Sequence, residues 1–261
     1  MRGGYKIVED NLRVAMRFFG QATGAGEIRA ADGIEMVYSG LDYGVFNIAL
    51  LAAPVISERD LTTILVTAGR FYHERKSRWS FWICEDLLDS AARRHSREIF
   101  SESGMRAISH APGMLTPALA PPSRTLPEIE CLAVSDAELR AAFAGLTVSC
   151  FEIPPPIARA VYEPEAAWQG EYRGYVGMVN GSAVSIVALV RAGGAIGVYS
   201  LGTIPAQRHK GYGEALLRAA LAMEHNFPDE PLVLESTEAG YRLYRRLGFR
   251  DVTNFTVYLT R

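Results

Sequence analysis

The sequence predicts an α/β (α+β) fold built on a mixed, mostly antiparallel sheet flanked by helices, and three observations carry that prediction. Asn180-Gly181 and Gly193-Gly194 separate three strand-like runs, and both positions of each pair tolerate the positive φ of a tight hairpin turn. Beyond the third run the pattern alternates helix, strand, helix, strand, which lays helices on the faces of a sheet. A comparable order precedes the proline-dense stretch Leu115 to Pro127, so the chain divides into two halves of similar size.

In the first half, Val8 to Gly20 reads as a helix and Ile34 to Ser39 and Val45 to Ala52 as strands. Ser57 is a suitable N-cap for a helix to Lys76, with Leu61, Ile64, Leu65 and Ala68 on one face. A buried strand over Trp79 to Cys84, a helix from Asp86 to Ser103 ending near Gly104, and a strand over Arg106 to His110 follow. The second half opens with a strand over Ile129 to Val134, a helix from Asp136 through Ala144 and another from about Ile157 to Trp168. The hairpin strands are Tyr172 to Val179, Ala183 to Arg191 and Ala195 to Thr203. A helix from Gly211 to about His225, a strand Pro231 to Glu235, a helix Thr237 to Leu247 and a strand Val252 to Leu259 complete the chain. Gly248 stands where a helix terminates in the left-handed conformation.

With 261 residues, 49% of them hydrophobic, and a net charge of -2, the chain can bury a proper core and lacks the basic surplus of a nucleic-acid binder. Arg242, Arg245 and Arg246 fall at helical spacing on what reads as a solvated face. Cys84, Cys131 and Cys150 are scattered, as reduced thiols of a cytoplasmic protein would be. No His/Cys spacing indicates a metal, since His73, His95, His110, His209 and His225 are isolated. The longest apolar run, Phe46 to Ile56, is too short for a membrane span, and Glu9, Asp10 and Asn11 interrupt any leader-like start.

The most informative stretch is Leu201-Gly-Thr-Ile-Pro-Ala-Gln-Arg-His-Lys-Gly-Tyr-Gly213 before a helix whose apolar face is Leu216, Leu217, Ala220 and Leu221. The first turn of a helix has N–H groups without intrahelical partners, and its dipole attracts anions. Gly211 and Gly213 let a pyrophosphate approach the backbone. A Walker loop is excluded by the lack of Gly-Lys-Ser/Thr, and a dinucleotide fingerprint by Leu216 and by the hairpins that precede the loop. The plainer alternative is a glycine-bearing turn before an ordinary helix.

Arg208-x-x-Gly211-x-Gly213 at this junction, followed by Leu243-Tyr244 and then Gly248-Phe249, resembles the acyl-CoA signature of the GNAT N-acetyltransferase superfamily. The resemblance covers the chain from Ile129 onward and implies a GNAT sheet, with acetyl-CoA as acyl donor and no metal. It implies that Leu201, Gly202 and Thr203 offer backbone hydrogen bonds to the pantetheine arm, and that the amides of Arg208, His209, Lys210, Gly211, Tyr212 and Gly213 hold the pyrophosphate. Tyr244 matches the tyrosine that protonates the departing thiolate. Thr237 falls where many members carry an asparagine near the cofactor, a departure from the pattern.

Acyl transfer to an amine needs a neutral nucleophile, a polarised carbonyl and a proton for sulfur. Strand N–H groups near Gly202 and Thr203 suit the second task and Tyr244 the third; the alternative for Tyr244 is a packing role. For a base, Glu235 at a strand end beside the cleft leads by position, with Glu171, Tyr199 or a water chain as alternatives, while His209 reads as a cofactor neighbour.

The first half has no Arg-x-x-Gly-x-Gly, yet its element order is similar to bacterial two-part members of the family, and Phe46-Asn47 and Pro112-Gly113-Met114 fit that subgroup. The expectation is therefore residues 1–126 as a degenerate GNAT-like, acceptor-shaping domain and residues 127–261 as the acyl-CoA-binding domain, with the acceptor in the groove between. The expected activity is transfer of an acetyl group to a primary amine of a small or amino-acid-like acceptor, with no nucleic acid or membrane as partner; a homodimer is compatible with the resemblance. The alternatives are a catalytically silent acyl-CoA-binding sensor and a structural interaction domain.

Overall fold

The computed structural model describes residues 3–224 and 230–261. The chain begins with helix α1 (Gly4–Ala22), then strands β1 (Glu27–Ala31), β2 (Ile34–Tyr38) and β3 (Ile48–Leu51), helix α2 (Glu58–Glu74), strand β4 (Ser80–Cys84), helix α3 (Ser90–Glu102) and strand β5 (Met105–Thr116). After the proline-dense stretch come β6 (Glu130–Ala133), α4 (Ala137–Phe151), α5 (Pro155–Tyr162), β7 (Tyr172–Val179), β8 (Ser182–Ala192) and β9 (Ala195–Thr203). Helix α6 (Tyr212–Met223), β10 (Leu232–Glu235), α7 (Glu238–Arg246) and β11 (Arg250–Thr260) complete it.

Local chemistry sets many of these boundaries. Ser57 accepts from Asp60 N at the start of α2, and Asp136 from Leu139 N at the start of α4, each satisfying an orphan amide of the first turn. Asn180 and Gly181 have φ of 50° and 74°, and Gly193 and Gly194 have 62° and 74°, as two-residue hairpins require.

Several expected boundaries are corrected. Strand β1 is absent from the sequence reading; it pairs with β2 across Asp32-Gly33. Val45 to Asn47 lie outside β3. Asp86 belongs to a short 3-10 turn, Glu85–Leu87, and the helix starts only after Asp89, whose carboxylate caps it. The strand expected over Arg106 to His110 runs on to Thr116, so Leu115 and Thr116 are strand and not linker. Helix α4 continues past Ala144 to Phe151 because Phe143, Ala144, Leu146 and Thr147 stay buried. The helix expected to reach Trp168 stops at Tyr162, before Pro164, and a 3-10 turn, Glu165–Gln169, follows. The end expected for α6 near His225 lies outside the described residues.

The strands form one sheet in the order β1-β2-β3-β4-β11-β5-β10-β9-β8-β7-β6. Its centre is shared: β11 lies between β4 and β5, and β5 lies between β11 and β10. The last strand of each half thus closes the sheet of the other, and the halves cannot separate without breaking three central ladders, β4–β11, β11–β5 and β5–β10.

Helix α1 packs across this junction. Arg17 makes a bidentate pair with Glu35 of β2, at 2.9 and 2.6 Å. Six residues earlier, Asn11 reaches the β8–β9 hairpin through its side-chain amide. Phe18 stacks on Tyr172 at 4.1 Å and meets Tyr162 and Trp168 edge or face at 5.6 and 5.5 Å. Burying such a ring is worth roughly 1.5–3 kcal/mol, so α1 is anchored to the second half as well as to its own. Among the described residues no helix is long and apolar enough to cross a membrane.

Candidate functional site

The site begins where two parallel strands part. Strands β9 and β10 pair only at Ile196↔Leu232 and Gly197↔Val233. Beyond that point β10 continues beside β5, with Leu234↔Met114 and Glu235↔Gly113, while β9 runs on to Thr203 paired with β8 only. One edge of β9 is therefore left without a neighbouring strand.

A bulge redirects that edge. Ala188 faces Tyr199 and Ile186 faces Gly202, so Ser200 and Leu201 stand opposite Val187 alone, and Ser200 takes φ 48°. Downstream, Ile204 N donates to Val184 O, and Ser185 Oγ donates to Gly202 O at 2.7 Å. By alternation along the ladder the polar backbone of Gly202 turns toward β8, whereas that of Thr203 turns to the open side, where its carbonyl accepts from Arg208 Nε at 3.1 Å. Of the two residues read as sources of cleft-facing N–H groups, Thr203 has that orientation and Gly202 does not. A Cβ on Gly202 would lie 2.8 Å from Cys150 Cβ, so the end of α4 presses on the strand there.

The loop from β9 to α6 passes through a 3-10 turn (Pro205–Gln207), extended Arg208, and His209 at φ 64°. Gly211, at φ 102°, is the N-cap and offers no side chain, so the N–H groups of Tyr212, Gly213 and Glu214 precede the first helical bond, Ala215 N to Gly211 O. Lys210 Nζ donates to Gln207 Oε1 at 2.8 Å, bracing the loop from within. A Cβ on Gly213 would meet Thr203 Oγ1 at 3.3 Å and fill the space between helix and strand. That cradle, uncapped at a helix N-terminus, fits a diphosphate.

The corresponding place in the first half is built against an anion. Helix α2 is capped by Ser57 and carries Glu58 and Asp60 in its first turn. Strands β3 and β4 are also parallel, but their divergence is closed: Val55 N donates to Leu87 O at 2.8 Å and Asp89 N to Val55 O at 2.9 Å.

The other sequence-assigned residues surround the cleft. Leu201 packs beside the core formed by α6, α7 and β10. Thr237 caps α7, its hydroxyl accepting from Gly240 N at 3.2 Å. Tyr244 is buried on α7, edge-on to Phe249 at 5.7 Å; burial, and then the charge of Glu235, hold its hydroxyl well above the ordinary range for ionisation. Glu235 is half-buried at the end of β10, with Oε1 shielded and unpartnered. Burial, with a contribution from Glu9, pushes its carboxyl up to about 8. Tyr199 donates to Asn11 Oδ1 and lies close enough to feel the charge of Glu235. Glu171 is exposed just before β7, level with the paired end of β9 and away from its open edge.

Three residues at the site escaped sequence reasoning. Glu9 and Asn11 are buried polar residues on the packed side of α1, a breach of amphipathic pattern that a helical projection would have shown. Arg124, in the proline-dense stretch, donates to His209 O at 3.3 Å, and its Nη2 would lie 3.1 Å from a Cβ on Gly211. Nothing local in the sequence marks that arginine.

Residues 170–251 match the family model described as acetyltransferase (GNAT) domain. No curated protein matches the sequence. Among solved structures, a GCN5-related N-acetyltransferase from Kribbella flavida is similar over 100% of this chain and 96% of its own, at 18% identity and a TM-score of 0.72. A GCN5-related N-acetyltransferase-like protein from Streptococcus suis is similar over 96% and 98%, at 15% identity and 0.55. A tandem GNAT protein from the clavulanic acid biosynthesis pathway is similar over 99% and 94%, at 10% identity and 0.56. These likenesses extend the two-part fold to the whole chain.

Proposed function

The chain is a GNAT acyltransferase-superfamily member through its C-terminal half, and from that premise we propose that it transfers an acetyl group from acetyl-CoA to the primary amine of a small acceptor, by direct attack in a ternary complex. The observation that carries the proposal is the split between β9 and β10 leading to an uncapped, glycine-cradled helix N-terminus. We take residues 127–261 as the acyl-CoA domain and residues 1–126 as the half that shapes the acceptor site, consistent with the zipped divergence and acidic helix start in the first half. The three unpaired cysteines suit a cytoplasmic protein.

Acetyl-CoA supplies an activated acyl group: the amine nitrogen bonds to the acyl carbon and the carbon–sulfur bond breaks. The amides of Tyr212, Gly213 and Glu214 face the diphosphate, and the open edge of β9 near Thr203 faces the arm. Glu235, with its affinity for a proton raised by burial, takes one proton from the incoming ammonium. Tyr244, kept neutral by its surroundings, gives its proton to sulfur, and is restored by the second proton the nitrogen loses.

Calorimetric titration with acetyl-CoA tests this, alongside Gly213→Val. The variant's added carbons point at Thr203 Oγ1 and occupy the cradle, so saturable binding is expected in the natural protein and not in the variant. Equal binding by both would remove the site assignment. Binding without turnover on any amine would leave a silent acyl-CoA module.

A further inference from the structure

The acceptor side of the cleft is closed by α1 of the first half. Glu235 is in register with Gly113, and a Cβ on Gly113 would sit 3.2 Å from Val8 Cγ1. Val233, two residues before Glu235 on the same face, is in register with Gly197, whose Cβ would collide with Asn11 Oδ1. The Glu235 side chain therefore emerges on the face that α1 covers, opposite the segment containing Glu9.

One oxygen of each carboxylate lacks a partner there. Glu9 is 5% exposed, and its Oε1, like that of Glu235, is shielded from solvent without a hydrogen bond. Arg13 approaches the other oxygen, Glu9 Oε2, only at 3.5 Å, and makes its shorter contact, 2.6 Å, with Asp10. Burying a carboxylate oxygen without a donor costs free energy that packing does not return, and two at one place, from two halves of the chain, relieve it either by holding a proton or by taking a cationic ligand.

We propose that Glu9 and Glu235 form the acceptor's ammonium-binding site, and that the acceptor is a primary amine without a neighbouring carboxylate. This rests on the acetyltransferase reading and narrows it: an α-amino acid would bring its own carboxylate against two buried ones, whereas an aliphatic amine, polyamine or amino sugar would not. Glu9 binds the ammonium, and Glu235 binds it and then accepts its proton.

The groups facing this pair are Lys6, Asp10 and Arg13 on α1, Cys84 on β4, Tyr199 on β9 and Tyr244 on α7. The pair holds protons near neutrality in the absence of ligand, with Glu9 at about 7 through burial. Ammonium binding therefore expels protons, which a purely structural Glu9 would not do.

The test is calorimetry on CoA-loaded protein with 3-methylbutylamine, 1,5-diaminopentane and leucine, in two buffers of different ionisation enthalpy. An amine is expected to bind with a heat that depends on the buffer, and leucine, the carboxylate-bearing counterpart of 3-methylbutylamine, at least about tenfold more weakly. Glu9→Gln should weaken amine binding roughly tenfold or more with acetyl-CoA affinity unchanged, and its thermal midpoint should stay level or rise, because a buried charge is gone. Glu235→Gln, which does not alter α1, should show the same loss. Equal amine affinity in all three proteins, preference for leucine, or no amine binding by CoA-loaded protein would overturn the proposal. Failure of the natural protein to bind acetyl-CoA would instead remove the reading beneath it.

Discussion

The hydroxyl of Tyr199 donates to Asn11 Oδ1 over 2.7 Å, joining a strand of the cleft to a helix almost two hundred positions earlier in the chain. The amide of Asn11 meanwhile donates to the carbonyls of Val190, Ala192 and Ala195 at 3.0, 2.9 and 3.1 Å, so one fully buried side chain satisfies the top of the β8–β9 hairpin. Asn11→Leu strands all of these groups and should destabilise the protein by about 2–4 kcal/mol in urea unfolding. Tyr199→Phe should cost about 1 kcal/mol. Because the two share one bond, the double variant should fall short of the sum. Strict additivity would show that the pair is not coupled.

Tyr244→Phe separates chemistry from packing. The ring keeps its contacts with Phe249 and its neighbours, so stability and acetyl-CoA binding should change little. Without a hydroxyl proton for sulfur, single-turnover transfer should slow by about 100-fold. An ordinary thiol has a pKa of about 8.5, well below that of the buried phenol, so transfer from Tyr244 to the departing sulfur is uphill alone and is drawn forward by the proton that the acylated nitrogen returns to Tyr244. An unchanged rate would leave Tyr244 as a core residue and nothing more.

Arg124 offers the cofactor cradle a cation from the segment that joins the halves. That segment is docked and not loose: Ala120 N donates to Leu247 O at 2.9 Å and Arg218 donates to Ala120 O at 2.5 Å. Arg124→Ala should weaken acetyl-CoA binding about fivefold at low salt, a scale of roughly 1 kcal/mol for an exposed charge, and the difference should shrink as salt is raised. A salt-independent effect, or none, would place Arg124 outside the phosphate field.

What the sequence disclosed was whatever local chemistry decides. The hairpins at Asn180-Gly181 and Gly193-Gly194, the caps at Ser57 and Asp136, and the left-handed Gly248 each depend on a few neighbouring residues, and strands β7 and β9 begin and end as those signals require. The glycine loop before α6 is of the same kind, since an anion site at a helix start is built from one segment. Strand β5 runs past the expected end at His110, and only the sheet shows why: Pro112 O accepts from Ser236 N, and Gly113 makes room for Thr253 and Phe255. Glu9 and Arg124 reach the cleft through the exchange of strands between halves, and no spacing in the chain records that exchange.

The carboxyls of Glu9 and Glu235 give stability and activity opposite pH dependences. Glu9 and Glu235 ionise near 4.5 in the unfolded chain but near 7 and 8 in the folded one, chiefly through burial. The folded state thus holds protons that the unfolded state has already released, so stability is greatest below about pH 4.5 as far as these groups decide it, declines as pH rises, and levels off only above about 8. For Glu9 the decline is on the order of 3 kcal/mol, and Glu9→Gln should flatten that part of a urea midpoint-versus-pH curve. Activity runs the other way, because Glu235 accepts a proton only as the anion: kcat/KM should climb toward a pH of about 8, and Glu235→Gln should lower the rate and erase that limb. A stability curve that rises between pH 5 and 8 in the natural protein and is unchanged in Glu9→Gln would mean that Glu9 is already paired in the folded state, and the acceptor site would have to be sought elsewhere along the cleft.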